Sequence, residues 1–194
     1  MPPRRWNLLL AAAALTGCAT LRGHASASDG CRPVEGPLPL GATTAGMGGT
    51  YAFTMVATDG ARAGKRVTGR LVLAPQDSAW LAVEGAAQPF RGTADIALED
   101  VGAVRMGDLA AAEPGAPGVA VYEQHAPSGA PTVLLRLGAG SNARGAQPFD
   151  AGFTTLFVRR ITDEGFAGGW RSSAGSTYPI RQAQGYFCAE RVRP

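Results

Sequence analysis

Short runs of alternating apolar and polar residues, separated by glycine-rich and proline-rich turns, constrain the fold of this chain most. The first run covers 48–58, and its larger apolar side chains recur at every second position, at Tyr51, Phe53, Met55 and Ala57. A period of two is the pattern of a β-strand with two unlike faces. A second such run, 67–73, follows a turn marked by Asp59-Gly60 and Gly64. Two alternating runs about a turn of this kind predict a β-hairpin.

The same pattern recurs along the chain. Further strands are predicted at 80–83, 93–98, 119–123, 132–137, 153–161, 166–171 and 185–192. No convincing amphipathic helix is found; 100–112 fits either a short helical turn near 109–112 or strand and loop, and its glycines weaken a helix. Eight or nine short strands at this spacing predict an all-β fold, either an antiparallel β-barrel or a β-sandwich. The up-and-down barrel of about eight strands is favoured, because sequential hairpins close it most simply.

The N-terminus has the layout of an export signal. Arg4 and Arg5 precede an apolar run, 8–15, which is shorter than the roughly 20 residues that span a bilayer. The run ends in Leu15-Thr16-Gly17-Cys18, which resembles the lipobox of bacterial lipoproteins. The resemblance implies that residues 1–17 are a signal peptide and that Cys18 becomes the lipid-bearing first residue of the mature protein. Acyl chains on Cys18 would then anchor the protein to a membrane of the cell envelope.

The family's sorting habits add a location, because Ala19 is not acidic and this favours the outer membrane. Residues 18–40 are accordingly predicted to be a lipidated N-terminus and tether, and residues 41–194 the barrel domain. Loss of Arg4 and Arg5 leaves 16 basic residues against 15 acidic ones. The mature chain has no basic stripe, so nucleic acid is not an expected partner.

Cysteine usage fits an exported protein. With Cys18 assigned to lipid, Cys31 and Cys188 remain, one near each end of the mature chain. An even pair outside the cytoplasm predicts a disulfide. The alternative is two separate buried thiols. A disulfide would place the start of the domain beside its last strand and so reinforce closure of a barrel. Metal-ligand spacing with histidine is absent, so no metal is predicted.

Three sequences imitate catalytic or cofactor motifs without meeting their requirements. Residues 138–143 resemble a dinucleotide fingerprint, but Gly145 and Pro148 oppose the helix that it needs. Residues 60–65 resemble a phosphate loop but are too short, and a hairpin turn is the better interpretation. His125 could be combined with Ser128 and Asp108, but it lies beside an exposed turn where a base would be poorly held. The chain is therefore predicted to be non-enzymatic and to use no cofactor.

Glycine–aromatic pairs begin several predicted strands, and this layout loosely resembles that of small lipocalin-like and avidin-like barrels. A barrel of this size can hold one small ligand, or its interior can be filled by side chains, and the sequence leaves both open. The candidate ligand-lining residues are Tyr51, Phe53, Trp80, Phe157 and Trp170. The first functional hypothesis is thus a lipid-anchored envelope protein that binds a small apolar ligand in the barrel mouth. The alternative is a structural or interaction protein, or an inhibitor of an exported enzyme, that acts through its loops.

Overall fold

A computed structural model describes residues 30–76, 81–82, 86–103, 118–125, 129–137, 153–174 and 181–193. Its strands are β1 (Gly49–Ala57), β2 (Arg66–Pro75), β3 (Leu81–Ala82), β4 (Ala86–Asp95), β5 (Val119–Gln124), β6 (Thr132–Leu137), β7 (Phe153–Thr162), β8 (Gly165–Ala174) and β9 (Arg181–Arg191). Two short 3₁₀ turns, Gly60–Arg62 and Leu98–Val101, lie in connections. In these described ranges no helix is long and apolar enough to cross a membrane.

The strands form one closed antiparallel barrel. Eight of them follow one another around the ring in the order β1, β2, β4, β5, β6, β7, β8 and β9, and β9 pairs back onto β1. The two-residue β3 pairs with the beginning of β4, on the edge that β2 occupies farther along that strand. The prediction of an up-and-down barrel of about eight strands is therefore confirmed, and the sandwich is excluded.

Most predicted strands are found where the alternation placed them. The first hairpin, β5, β6 and β7 agree within a residue or two, whereas β8 and β9 each extend three or four residues farther toward the connection that joins them. The prediction of a strand at 93–98 was wrong in its bounds. The strand β4 begins at Ala86 and ends at Asp95, and Leu98 instead starts a 3₁₀ turn. The helical turn considered near 109–112 lies outside the described residues.

Alternation along each strand sends one set of side chains inside the barrel. Tyr51, Phe53 and Met55 of β1 are all at most 1% exposed. They share one continuous core with side chains from the other strands of the ring, among them Leu71, Phe90, Val121, Leu135, Leu156, Trp170 and Phe187. An eight-stranded barrel has an interior just wide enough for side chains to fill. Burial of this apolar surface is the main stabilising contribution to the fold.

The barrel has two distinct ends. We call the end with Gly49, Thr162 and Arg191 the near end, and the end with Ala57 and Arg66 the far end. Residues 30–48 pack at the near end, where Leu38 and Met47 join the barrel core. The predicted domain boundary at 41 falls within this packed segment. The strand ends that precede 104–117, 138–152 and 175–180, three connections outside the described residues, lie at the far end.

The predicted disulfide is present. Cys31 and Cys188 are bonded, with their Cα atoms 5.6 Å apart. Cys188 lies on the outer face of β9, since its neighbours Phe187 and Ala189 both belong to the interior core. The bond therefore fastens the start of the described chain to the outside of the barrel, in a small cluster with Val34, Ala167 and Tyr186.

Candidate functional site

Three of the candidate ligand-lining residues lie inside the barrel. Tyr51, Phe53 and Trp170 are each at most 1% exposed, and all belong to the single core cluster. The Tyr51 ring meets the Phe166 ring edge-on with centroids 5.0 Å apart, and Phe53 lies 5.9 Å from Phe187. Edge-on aromatic contacts at these distances are stabilising. In the described part of the barrel these side chains are therefore part of one packed core. Binding of a small apolar ligand stays a prediction.

The indole of Trp170 is fixed by a hydrogen bond as well as by packing. Its Nε1–H donates to the carbonyl oxygen of Val56 over 3.1 Å. Gly185 makes this approach possible, because a Cβ at that position would meet both the Val56 carbonyl and the Trp170 indole nitrogen. A buried indole N–H needs a partner, and here the partner is backbone rather than a ligand.

The other two candidates are placed differently. Phe157 is half-buried on β7, on the opposite face from Leu156 and Val158, which both point into the core. It therefore faces the outside of the barrel, and its β8 partner is Gly169. Trp80 lies outside the described residues.

A polar clamp built on Arg191 holds the N-terminal segment at the near end. The Arg191 guanidinium donates to the carbonyl oxygens of Gly46, Gly48 (2.7 Å) and Asp163 (3.0 Å). It also donates to the Tyr51 hydroxyl over 2.8 Å and lies 5.0 Å from the centre of that ring. Charge-assisted bonds of this kind are stronger than neutral ones. Arg191 is thus committed to structure, and we assign it no ligand.

The Tyr51 hydroxyl completes this clamp. It donates to the Met47 carbonyl over 2.8 Å. Burial raises the pKa of Tyr51 above its ordinary value, and the nearby Arg191 charge opposes part of that rise. The hydroxyl therefore stays protonated at neutral pH and serves as a hydrogen-bond donor, not as a base.

A second polar cluster involves His125, which the sequence placed in a hypothetical triad. Its Nε2 lies 3.0 Å from Oε1 of Glu123, and the other carboxylate oxygen accepts a hydrogen bond from the buried Thr44 hydroxyl. The Thr44 hydroxyl therefore donates to the Glu123 carboxylate and not to the His125 imidazole, so the described residues do not provide the hydroxyl–imidazole contact of a triad. The cluster instead ties the N-terminal segment to β5. Ser128 and Asp108 lie outside the described residues.

Two further pairs of adjacent charged residues lie on the surface. Arg159 and Arg160, near the end of β7, are both exposed, and Arg159 donates to the Gly36 carbonyl over 3.2 Å. Glu99 and Asp100 are both exposed in a 3₁₀ turn. Within the described ranges no group of three or more His, Cys, Asp or Glu side chains is arranged to hold a metal ion. The non-enzymatic assignment remains a prediction.

The described residues form, among others, two surface depressions with a volume of about 510 Å³ each. The near-end depression lies beside the disulfide, and its lining includes Gly30, Arg160, Glu164 and Arg193. Two of its exposed charges pair with each other, since a guanidinium nitrogen of Arg193 lies 3.5 Å from a carboxylate oxygen of Glu164. The far-end depression is lined by Arg62, Lys65, Arg66 and Asp100. It brings three cations and one carboxylate together.

The far-end depression was not predicted from the sequence. Residues 60–65 were considered there as a phosphate loop and interpreted as a hairpin turn, which is what they form. The spacing of Arg62, Lys65 and Arg66 did carry a signal, because three cations within five positions of a turn must lie near one another. Asp100 carried none, because only the pairing of β2 with β4 brings it to that hairpin. No protein-family model and no curated protein sequence matches this chain.

Proposed function

We propose that this chain is a lipid-anchored envelope protein whose barrel acts as an interaction module through its outer surface at the far end. This is the second of the two hypotheses from the sequence. The observation that carries it is that the described interior is filled by side chains, while residues 30–48 pack at the near end, opposite the far-end depression.

The geometry of attachment supports the proposal. The described chain begins at Gly30, which lies at the near end against Glu190. If Cys18 carries the lipid, the 12 residues 18–29 form the tether. Fully extended, such a tether reaches at most about 40 Å from the bilayer. Attachment at the near end therefore places that end closer to the membrane, on average, than the far end.

The far end is consequently turned outward. The nine residues of β1 span roughly 26 Å along the strand, or about 20 Å along the axis of a barrel with ordinary strand tilt. The far end therefore reaches beyond the near end toward partners in the envelope. Loops presented on a rigid scaffold are the usual place for recognition.

The anchor is tested by metabolic labelling with palmitate in bacterial cells. Labelling of the wild-type chain and its loss in Cys18→Ala support the anchor. The double variant Cys31→Ala/Cys188→Ala is the matched control, because it removes the other two cysteines and should keep the label. A Cys18→Ala protein that stays labelled and membrane-bound would refute the lipobox assignment.

The interaction surface is tested by photo-crosslinking in the same cells. A photoreactive residue replaces Lys65 at the far end in one strain and Arg160 at the near end in another; both positions are exposed. We expect discrete protein adducts from Lys65 and lipid contacts or no adduct from Arg160. Adducts confined to Arg160 would reverse the proposed orientation. Absence of protein adducts from both positions would contradict the interaction module.

A further inference from the structure

We propose that the far-end depression binds a phosphorylated sugar, with its cations holding the phosphate and Asp100 accepting a hydrogen bond from a sugar hydroxyl. The proposal rests on the described geometry of the barrel and does not depend on the lipid anchor or on a protein partner.

The first step is charge. The lining of the far-end depression has a formal charge of +2, because it contains three cations, Arg62, Lys65 and Arg66, and one carboxylate, Asp100. The whole chain without its leader has 16 basic and 15 acidic residues, so this is a local concentration and not a general property of the surface. Cations that line a concave site focus the field on it and attract anions.

The second step is rigidity. The three cations lie on or beside a tight, hydrogen-bonded turn, in which the Gly64 amide donates to the Ala57 carbonyl over 2.9 Å. The Lys65 amide donates to the Arg62 carbonyl over the same distance. Fixed positions lower the conformational entropy that binding must remove.

Arg62 is held by contacts outside the turn as well. Its guanidinium donates to the Glu99 carbonyl oxygen, which leaves other N–H groups of the fork to face the depression. Its aliphatic stem lies against Gly102, where an added Cβ would stand 3.3 Å from the Arg62 Cδ. The 3₁₀ turn that supplies Glu99 and Asp100 is itself anchored by the buried side chains of Leu98 and Val101. The two walls of the depression are therefore connected.

The third step is the ligand's chemistry. Three cations suit a doubly charged phosphate, for which arginine and lysine are the usual partners. An ionised carboxylate is an acceptor only, so Asp100 favours a ligand that also carries a hydroxyl. The volume of about 510 Å³ lies in the range of small-molecule sites. No aromatic residue is among the described lining residues, so a nucleobase would find no stacking surface there.

This site differs from the phosphate loop that the sequence excludes. A phosphate loop cradles its ligand with backbone N–H groups at the start of a helix. Here the donors are side chains on a β-hairpin. The proposed site is therefore compatible with the conclusion that residues 60–65 are not a phosphate loop.

The test is calorimetric titration of the purified full-length protein with glucose phosphate, glucose and inorganic phosphate. We expect glucose phosphate to bind more tightly than inorganic phosphate, glucose alone not to bind, and affinity to fall with added salt. Lys65→Gln and Arg66→Gln should each weaken glucose phosphate roughly fivefold, as expected for loss of a partly exposed charge-assisted contact.

Arg70→Gln is the matched control. Arg70 is exposed on the same face of β2, about 13 Å along the strand from Arg66, and does not line the depression. Its loss should change affinity less than about twofold. An Arg70→Gln effect equal to that of Lys65→Gln would show general charge attraction and overturn the site. Circular dichroism confirms that each variant is folded, and Lys65→Gln is the least disruptive because that side chain is exposed.

Asp100→Ala separates the two halves of the proposal. Removing the carboxylate should tighten inorganic phosphate because a negative charge is lost, while glucose phosphate also loses the acceptor for its sugar hydroxyl. The ratio of the two affinities should therefore fall. An unchanged ratio would overturn the sugar assignment.

A second titration uses phosphatidylcholine vesicles with and without a phosphorylated glycolipid, and it distinguishes a free sugar phosphate from one on a membrane surface. Binding of either glucose phosphate or the glycolipid-containing vesicles supports the site if Lys65→Gln weakens it. Absence of binding to both glucose phosphate and the glycolipid-containing vesicles overturns the site.

Discussion

Removal of the Cys31–Cys188 disulfide tests how the N-terminal segment is attached to the barrel. The double variant Cys31→Ala/Cys188→Ala removes the bond without leaving a reactive thiol. The two cysteines are 157 residues apart in the chain, so the bond closes a loop that contains nearly the whole barrel. In the chain-entropy model a loop of this length stabilises the folded state by about 5 kcal/mol at 25 °C.

The structure also predicts where the effect is local. The stretch 31–36 is attached by the disulfide cluster and by the Arg159 bond to Gly36. Residues 38–47 are held independently, by burial of Leu38 and Met47 in the barrel core and by the Arg191 clamp. The variant should therefore unfold more easily as a whole, but in the native state it should loosen only the first stretch.

Urea denaturation followed by circular dichroism measures the global effect. We expect a loss of about 2 to 5 kcal/mol in the free energy of unfolding, and a fall in Tm of roughly 5 to 20 °C. Wild-type protein under reducing conditions should match the variant. A loss below about 1 kcal/mol would refute the reasoning from loop length.

Two local measurements complete this test. Glu35 is exposed, and cleavage after it by a glutamate-specific protease should be faster in the variant. The amides of Ala42 and Met47 donate to Pro39 and Thr44, and their hydrogen exchange should stay slow. Fast exchange at both amides would show that the disulfide, and not the core contacts, holds the whole segment.

Three further predictions concern the barrel itself. Arg191→Gln should cost about 3 kcal/mol of unfolding free energy in urea, since it removes bonds to Gly46, Gly48, Asp163 and Tyr51. Tyr51→Phe should cost about 1 to 2 kcal/mol. Because the pKa of Tyr51 is raised in the folded state, the contribution of this hydroxyl to folding stability is complete below pH 10 and falls as the pH rises above that value. Tyr51→Phe should therefore flatten the loss of stability at alkaline pH, and an unchanged slope would contradict this. Gly185→Ala should lower the free energy of unfolding by about 3 kcal/mol, because a Cβ there would collide with the Val56 carbonyl and the Trp170 indole. Gly46→Ala is the control: a Cβ at that position meets nothing within 4 Å, so stability should change by less than about 0.5 kcal/mol. Equal effects of the two glycine variants would contradict the close approach at Gly185.

Much of the fold was predictable because its signals are local. The alternation in β1, β5, β6 and β7 identifies each strand without knowledge of its neighbours. The disulfide followed from the number of cysteines and an exported context. These predictions needed little more than the period of two and the redox chemistry of thiols.

The start of β4 was not predictable in this way. Its first residues, Ala86-Ala87-Gln88-Pro89, have weak strand propensity and contain a proline. The barrel accommodates them with a register irregularity between Ala87 and Phe90, and the Pro89 carbonyl accepts a hydrogen bond from Gln76. Tertiary pairing therefore decides this strand, as is usual where proline lies at a bulge.

The face that each strand buries was also decided by the barrel. On β7 the sequence separates Phe157 from Leu156 and Val158 but does not say which set points inward. Leu156 pairs with the buried Trp170 on the neighbouring strand β8, so both side chains point inward. The smaller side chains of β7, Leu156 and Val158, therefore share the interior with the large indole. The far-end depression was missed for a similar reason, since Asp100 and Lys65 line one depression only because β2 pairs with β4.

The central claim is that the barrel interior is filled by its own side chains, so that recognition takes place on the outside. The most direct measurement is the indole N–H resonance of Trp170 in a Trp6→Phe/Trp80→Phe background, followed by NMR during titration with a panel of apolar ligands. We predict that this resonance does not move, because the N–H is bonded to the Val56 carbonyl within a packed core. A saturable shift, with slower exchange or loss of that hydrogen bond, would show that the interior accepts a ligand and would contradict the account.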